Sequence, residues 1–586
     1  MGIVQDLLDR QQDLATGRSA WEATWRVLAD YALPTQPRTS DSVAGHPSRP
    51  SYDRFVNRGP VSVDRGRRLY DSTSVWSIDR LTAGMESLVS PPSEMWHELT
   101  PDDVLQNGEP GEEETAWNER LRDYLFSTRY DPRSGFALHN QKALRSVAAL
   151  GTSVMFVEEA RTTDRSDIRS IPIRYRTLPL SENFLAVDAY DVVDTNFRVF
   201  PLMARQALAM FKGRGGRVHE AVEKAAESET DKDRAFDFLH AVFPRAERGS
   251  RRGTNRDSAY VSVYLDIENK FLISESGFFD FPYIVQWWQQ QEGSAYGESP
   301  VMLALADIVM LQQMAKTTLR ASQQMLDPPL GLPAKGIMNR PDLNPRALNY
   351  GAVDKGGNLL VRPIVTAQNL PFAEQIMAVK REQSKESLYI NLFQILIQNP
   401  AMTATEALIR ANEKGELLGP AGAKIQDGYS RMVDREIGIL SRLGAFAEGS
   451  FLEPPEALQG RSIGPRFTSP LDRLRRSAEL VAADRTVERA VQAAASGRPE
   501  ALDLIDIDEY VRLAREIEGA PSRILLDRET VEEIRTRRLE LEQEQAAIET
   551  ARAAGEAGNA ALPALAEAQE LVDGLSPEEV EALGAE

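Results

Sequence analysis

One stretch, residues 299–398, limits what this chain can fold into more than any other. Two apolar helical patterns of nearly equal length flank a segment rich in proline and glycine. The first opens at Ser299-Pro300, a capping hydroxyl followed by proline at the first helical position, where its missing N–H costs nothing. Ala304, Ile308, Leu311, Ala315, Leu319, Ser322 and Leu326 then recur three or four apart, which is one face of a helix. Pro328-Pro329 stops it, since proline lacks the donor and clashes with the preceding turn. The second pattern starts near Asn369 and Pro371 and continues through Tyr389, Leu392, Phe393, Leu396 and Ile397. It ends at Asn399-Pro400, because a residue before proline is driven from the α region. At about 1.5 Å of rise per residue, each rod is roughly 40 Å long. Residues 327–370 between them hold 11 Gly and Pro. Matched rods with a loop-rich head suit stacking against further copies of themselves.

With 586 residues the chain can bury several cores, on simple scaling roughly three or four domains. It contains no cysteine, which excludes disulfides and thiolate-held metals. Met1-Gly2-Ile3-Val4-Gln5-Asp6 leads straight into charge without a signal-peptide pattern, and Asp6 stands where a myristoylation signal wants Ser or Thr. The best apolar run, residues 301–311, is too short to span a bilayer and contains Asp307. The expectation is a soluble protein made inside the cell, with no membrane partner. A net charge of −20 argues against general nucleic-acid binding, yet the acid is uneven. Residues 499–586 carry 23 acidic residues against 8 Arg, whereas residues 299–398 carry 7 acidic and 10 basic ones. A locally basic rod on an acidic chain is either an ordinary solvated surface or a contact with something anionic.

The remainder reads as α+β, mainly helical. Residues 18–33 form an amphipathic helix with Trp21, Trp25 and Leu28 on one face, and residues 34–60, with five prolines, two glycines and little periodicity, form a loop or arm. A helical stripe runs through Ile78, Leu81, Met85 and Leu88; residues 112–127 and 135–150 are further helices. Strands are expected at 153–158, 171–178 and 184–189, helices at 200–212 and 218–227, and a hairpin at 259–267 and 270–274, with β character continuing over 277–288. After the central hairpin, Thr403-Ala404-Thr405-Glu406 forms a capping box. The helix it starts, with a break expected near Gly419-Pro420, runs to Leu443-Gly444, where glycine can take the left-handed conformation. Residues 470–496 and 508–552 are helical, and from about Ala553 the Ala-, Glu- and Gly-rich tail frays.

No catalytic constellation is visible. Residues 419–424 have the wrong spacing for a phosphate-binding loop, there is no Gly-x-Ser-x-Gly elbow, and the five histidines (His46, His97, His139, His219, His240) lack metal-ligand spacing. Asp503, Asp506, Asp508 and Glu509 cluster at the entry to a helix, where acid complements the dipole and caps free amides. A Mg²⁺ site there is the enzyme reading, third in rank; no catalytic residue, cofactor or metal site is assigned.

Several short runs, in series, resemble the head-to-tail connector (portal) proteins of short-tailed bacteriophages. They are Tyr70-Asp71-Ser72-Thr73, Pro91-Pro92-Ser93 with Trp96, and Tyr296-Gly297-x-Ser299-Pro300 with Asp327-Pro328-Pro329. Met402-Thr403-Ala404-Thr405-Glu406 with Arg410, Asp506-x-Asp508-Glu509, and Glu532-Glu533-Ile534-Arg535 with Arg538 complete the series. One departure is Trp287-Trp288, where the family usually places Arg before the Trp, so a surface contact there would differ.

The resemblance implies a homo-oligomeric ring of twelve at one capsid vertex of the virion, assembled in the host cytoplasm with capsid and scaffolding proteins. Double-stranded DNA is pumped through it by the large terminase and later leaves to a tail held by tail adaptor proteins. Residues 1–298 would be the wing, 299–326 and 371–398 the stem helices, and 327–370 the clip. Residues 399–450 would supply the channel loop (Pro400, Met402, Thr403, Thr405, Glu406) and a long wing helix; 451–586 would return to the wing and end in a helical crown. A conduit must not grip its duplex, because each phosphate neutralised adds affinity and slows sliding. Sparse basic rings on acidic walls satisfy that. The candidates are Lys335, Arg340, Arg346 and Lys355 in the clip, Lys380, Arg381 and Lys385 on the second stem helix, and Arg410. Arg381 and Lys385 share one helical face, whereas Lys380 lies about 100° round from Arg381. An intersubunit ion pair with Glu374, Glu382 or Glu386 competes with each DNA contact. The alternative reading is a self-associating helical scaffold or tail adaptor with no conduit role.

Overall fold

The computed structural model describes residues 2–33, 69–102, 111–160, 171–213, 215–248, 257–327, 329–331, 342, 348, 352–354, 356–363, 370–390, 404–518, 524–526, 530–543 and 545–546, the side chains of 112, 331, 362–363, 404–421, 474–475, 477–478 and 516 excepted. Two compact units divide the chain, residues 1–486 and 487–586.

The first unit begins with α1 (Ile3–Gly17), α2 (Ser19–Tyr31) and α3 (Thr73–Val89), then β1 (His97–Pro101), α4 (Glu112–Tyr130) and α5 (Phe136–Leu150). Strands β2 (Thr152–Glu159), β3 (Ile173–Leu178), β4 (Asn183–Val187) and β5 (Val193–Met203) follow, then α6 (Ala204–Lys212), α7 (Glu220–Glu227), β6 (Ala235–Pro244), β7 (Tyr260–Asp266), β8 (Phe271–Phe278) and β9 (Tyr283–Trp287). A single turn, Pro300–Leu303, leads into α8 (Leu305–Leu326); beyond it lie α9 (Leu370–Ser387), α10 (Ala404–Arg442), β10 (Ile463–Phe467) and the start of α11 (Pro470–Ala495), whose residues from 487 on belong to the second unit.

Two antiparallel sheets organise this body. One has strand order β3-β2-β9, the other β4-β5-β6-β7-β8. The larger sheet is covered on both faces. Leu7 of α1 packs with Phe184, Phe197, Leu239 and Val263 on one side, and Phe211 of α6 and Val222 of α7 with Phe200, Phe238 and Tyr264 on the other. The smaller sheet, with α2, α3, α5 and α10, encloses the main core around Trp25, Trp96, Phe136, Val154 and Tyr429. Burial of these aromatic and aliphatic side chains is the dominant force assembling the body.

Many elements fall where the sequence places them, and the differences are instructive. Residues 200–203 finish β5, because Phe200 lies opposite Phe238 across the sheet, so the helix starts only at Ala204. α10 crosses Gly419-Pro420 without a break and closes with Gly444 at φ +79°, where Ala445 N–H reaches back to Leu440. α9 ends at Ser387 and does not continue through Tyr389; Leu388 and Ile390 enter the core and Tyr389, at φ +59°, packs 5.5 Å from the Trp288 ring. Trp287 and Trp288 are buried, not surface-facing: Trp287 Nε1 donates to the Ala295 carbonyl, and Arg431 lies 5.8 Å from its ring. In the second unit, the pattern over 508–552 is divided, with α12 (Ile507–Glu518) ending before a separate helix at 530–543.

Candidate assembly site at the root of the helical hairpin

α8 and α9 pack side by side, and the start of α8 is fixed to the body by a run of specific contacts. Ser299 accepts the Met302 amide at 3.1 Å, the expected cap, and its hydroxyl donates to the Ala149 carbonyl at 3.0 Å. Gly297 N–H donates to Thr152 Oγ1 at 2.9 Å. A Cβ on Gly151 would lie 2.1 Å from the Gly297 carbonyl oxygen, so the two backbones meet at a distance only glycine permits. Tyr296 is buried with its ring 5.3 Å from Trp25, and its hydroxyl accepts the Leu185 amide. The Tyr-Gly-x-Ser-Pro run is therefore a mounting plate for the hairpin.

A second attachment holds both rods. Gln312 of α8, buried, accepts the amides of Tyr70 and Asp71 through Oε1 at 2.8 and 3.0 Å and donates to the Asp71 carbonyl through Nε2. Asp71 caps the start of α3 by accepting the Thr73 amide, and its other oxygen takes Arg381 Nε of α9 at 2.8 Å. Burial pushes the Asp71 carboxyl up, but the hydrogen bonds from Thr73 and the Arg381 guanidinium outweigh it and hold it below the usual carboxylate range. Lys380 reaches Asp307 across the hairpin at 2.9 Å, and Lys385 pairs with Glu382 at 3.2 Å along α9. All three basic candidates on this helix are thus matched to carboxylates of their own chain.

Away from this root, several apolar side chains of the hairpin are exposed. Ile308 and Leu311 are buried, but Leu319 is 49%, Leu326 88%, Phe372 65% and Val379 53% exposed. One face that repeats regularly in sequence is covered by the body at one end only.

Behind the root, α10 carries a buried charge network. Arg129 Nε and Nη2 donate to the Glu436 carboxylate at 3.0 and 2.5 Å, Tyr175 donates its hydroxyl to Glu436 Oε1 at 2.5 Å, and Arg129 Nη1 lies 2.6 Å from His97 Nε2. Both side chains of the ion pair are fully inaccessible. Burial, then the adjacent guanidinium, pushes His97 well below the ordinary histidine range; burial and the Glu436 charge push Tyr175 well up. The network thus orients α10.

Lys335, Arg340, Arg346, Lys355, Pro400, Met402 and Thr403 lie outside the described residues; Thr405, Glu406 and Arg410 lie in α10 with side chains outside them. Of the segment 327–370, Leu330–Gly331 pairs with Arg362–Pro363, and Val353 bridges Leu359 around a turn whose Asp354 accepts the Gly356 and Asn358 amides. In the second unit, Asp506 accepts the Glu509 amide at 3.0 Å and Asp508 is held by Arg535 at 2.5 and 2.7 Å. Two runs singled out in the sequence are thereby one contact. Among the described residues no group of three His, Asp or Glu is placed to hold a metal ion, and no helix is long and apolar enough to cross a membrane. Gln312 and Asp307 were absent from the sequence candidates; only their helical spacing from Ile308 and Leu311 pointed to them.

A two-helix hairpin bolted at its base to an α+β body, with its flanks uncovered, defines a protomer built for assembly. The chain matches the model of the bacteriophage head to tail connecting protein family over residues 4–525 and belongs to that family. It is similar to the probable portal protein of Bordetella phage BPP-1, 26% identical over 554 residues covering 93% of this chain and 92% of that one. It is equally similar to the portal protein of Salmonella phage epsilon15, 26% identical over 572 residues covering 96% and 95%. Its role is that of a head–tail connector.

Proposed function

We propose that this chain closes into a ring of twelve at one capsid vertex, through which duplex DNA is driven in by the large terminase and later released to the tail. The observation that carries this reading is the hairpin: rooted by Ser299, Gln312 and Arg381, it leaves Leu319, Leu326, Phe372 and Val379 exposed, with no covering element among the described residues. In the ring, α8 and α9 are the stem, residues 327–370 the clip that docks terminase and then tail adaptors, and residues 399–403 the loop narrowing the bore, with Thr405, Glu406 and Arg410 falling in the first turns of α10 rather than in that loop. α10 is the long wing helix and the C-terminal helices form the crown. Twelve chains carry a formal charge of −240 (12 × −20), so the walls repel a duplex and keep it centred. Lys335, Arg340, Arg346, Lys355 and Arg410 supply the sparse phosphate contacts. Lys380, Arg381 and Lys385 stay with their carboxylates, which leaves them little to offer a phosphate. Negative-stain microscopy of the purified chain tests the reading: rings with one rotational symmetry are expected, and monomers or open rods at high concentration refute it.

A further inference from the structure

The two rods of the hairpin differ in how their charges are met. All three bases of α9 have carboxylate partners within the chain. On α8, Arg320 is exposed, and among the described residues neither a carboxylate nor a hydrogen-bond acceptor engages it. Lys316, one turn earlier, is occupied: its Nζ lies 5.7 Å from the ring centre of Tyr70. From Ile308 to Leu326 α8 contains no Asp or Glu.

Arg320 belongs to a straight stripe. Gln313, Thr317, Arg320 and Gln324 recur four, three and four residues apart, and all four are exposed. Helical spacing sets them about 120–180° round from Ile308, which is buried against the body. The apolar face that starts at Ile308 continues to Leu319 and Leu326, about 160° and 180° round from Thr317. Thr317 donates its hydroxyl to the Gln313 carbonyl at 2.9 Å, and among the described residues no hydrogen bond engages the side-chain amide of Gln313 or Gln324. The stripe is neutral apart from one guanidinium, and it faces away from the body. The outward face of α1 is built differently: Asp6, Asp9 and Asp13 stand three and four residues apart there, all exposed. An ordinary solvated face on a chain of net charge −20 carries such acid.

We propose that the duplex passes along this stripe, with Arg320 touching phosphate and the Gln313 and Gln324 amides donating to phosphate oxygens. This rests on the ring reading and names the stem residues that face the bore. Amides donate without neutralising a phosphate, so they add little salt-dependent grip, and Arg320 makes a single cationic belt around the ring. A carboxylate on the stripe would instead oppose a passing charge at about every 1.7 Å of duplex axis. The occupant is a duplex rather than a helix of a second copy, because the core of such an interface is apolar, and the apolar cover lies on the opposite face with Leu319 and Leu326.

The chain has no cysteine, so a single introduced one reports its position without background. Full-length Thr317→Cys and Leu319→Cys, two residues apart on opposite faces, are each labelled with a thiol-linked benzophenone. Rings are checked by microscopy and irradiated with a short blunt DNA duplex; Gln324→Cys stands in where Thr317→Cys fails to assemble. The stripe position is expected to crosslink to the duplex and position 319 to protein. Arg320→Gln rings are expected to bind the same duplex with a salt slope shallower by about 1 or more. Gln313→Glu with Gln324→Glu is expected to bind it at least about tenfold more weakly. Rings without duplex crosslinks from the stripe, or Arg320→Gln rings with an unchanged slope, overturn the stripe while the ring reading stands. A wild-type chain that forms no ring overturns both.

Discussion

Replacing Glu436 by Gln probes the contact that orients α10. The substitution keeps the shape and leaves Oε1 able to accept from Tyr175, but it strips the counter-charge from Arg129, whose side chain is wholly buried. Three of the Arg129 hydrogen bonds end on that carboxylate, and the remaining neighbour, His97, is neutral at neutral pH because burial and the guanidinium hold it low. A buried ion pair broken on one side typically costs about 3–5 kcal/mol, most of it the penalty of the stranded charge. Against a urea slope of about 3 kcal/mol per molar, the midpoint should fall by roughly 1 M or more. Trp96, 5.0 Å from the Arg129 guanidinium, supplies a local fluorescence signal for the unfolding of this region. The double variant Arg129→Met with Glu436→Leu should recover most of the loss, since two apolar groups strand nothing. A Glu436→Gln chain within about 1 kcal/mol of wild type, or a double variant worse than the single one, would refute the account.

The same network sets a pH dependence. His97 has a folded pKa depressed below its unfolded value, so the unfolded chain binds a proton that the folded one refuses: stability is unaffected above about 6.5 and falls as pH drops below it, by about 1.4 kcal/mol per unit until the folded group titrates. His97→Gln should flatten that slope in urea melts taken between pH 7 and 5. Gly151→Ala sets a methyl against the Gly297 carbonyl at a left-handed φ of +79°, and should cost about 1–3 kcal/mol or more. Hydrogen exchange at residues 297–304 should rise with it, and unchanged protection there would show the mounting plate to be dispensable.

Local patterns were legible wherever one element met one environment. Ser299-Pro300, the stripe through Ile308 and Leu311, and the hairpin of β7 and β8 all follow from spacing and caps. β6 escaped because a central strand covered on both faces shows no alternation: every residue from Ala235 to Phe243 is buried. α1 escaped because its apolar side chains matter only against the sheet of Phe197 and Leu239. The second long helical pattern is interrupted where the sequence shows no break, and its expected part over 391–398 lies outside the described residues. Its apolar spacing continues past Ser387, but Leu388 and Ile390 are claimed by the core, and tertiary packing overrides helical propensity. The basic residues of α9 were visible as a group, and Glu382, which pairs with Lys385 within the chain, was among their expected partners, whereas the partners of Arg381 and Lys380 were not. Asp71 and Asp307 lie 310 and 73 residues away, and only the fold brings them within reach.

The unbroken length of α10 turns that buried network into a fulcrum. From Glu436 back to Ala404 the rod extends about 48 Å, so a tilt of 5° about the buried end sweeps the far tip through about 4 Å. Angular precision at one guanidinium–carboxylate fork is thus converted into positional precision at the distant end, and slack at the pivot would be magnified in the same proportion.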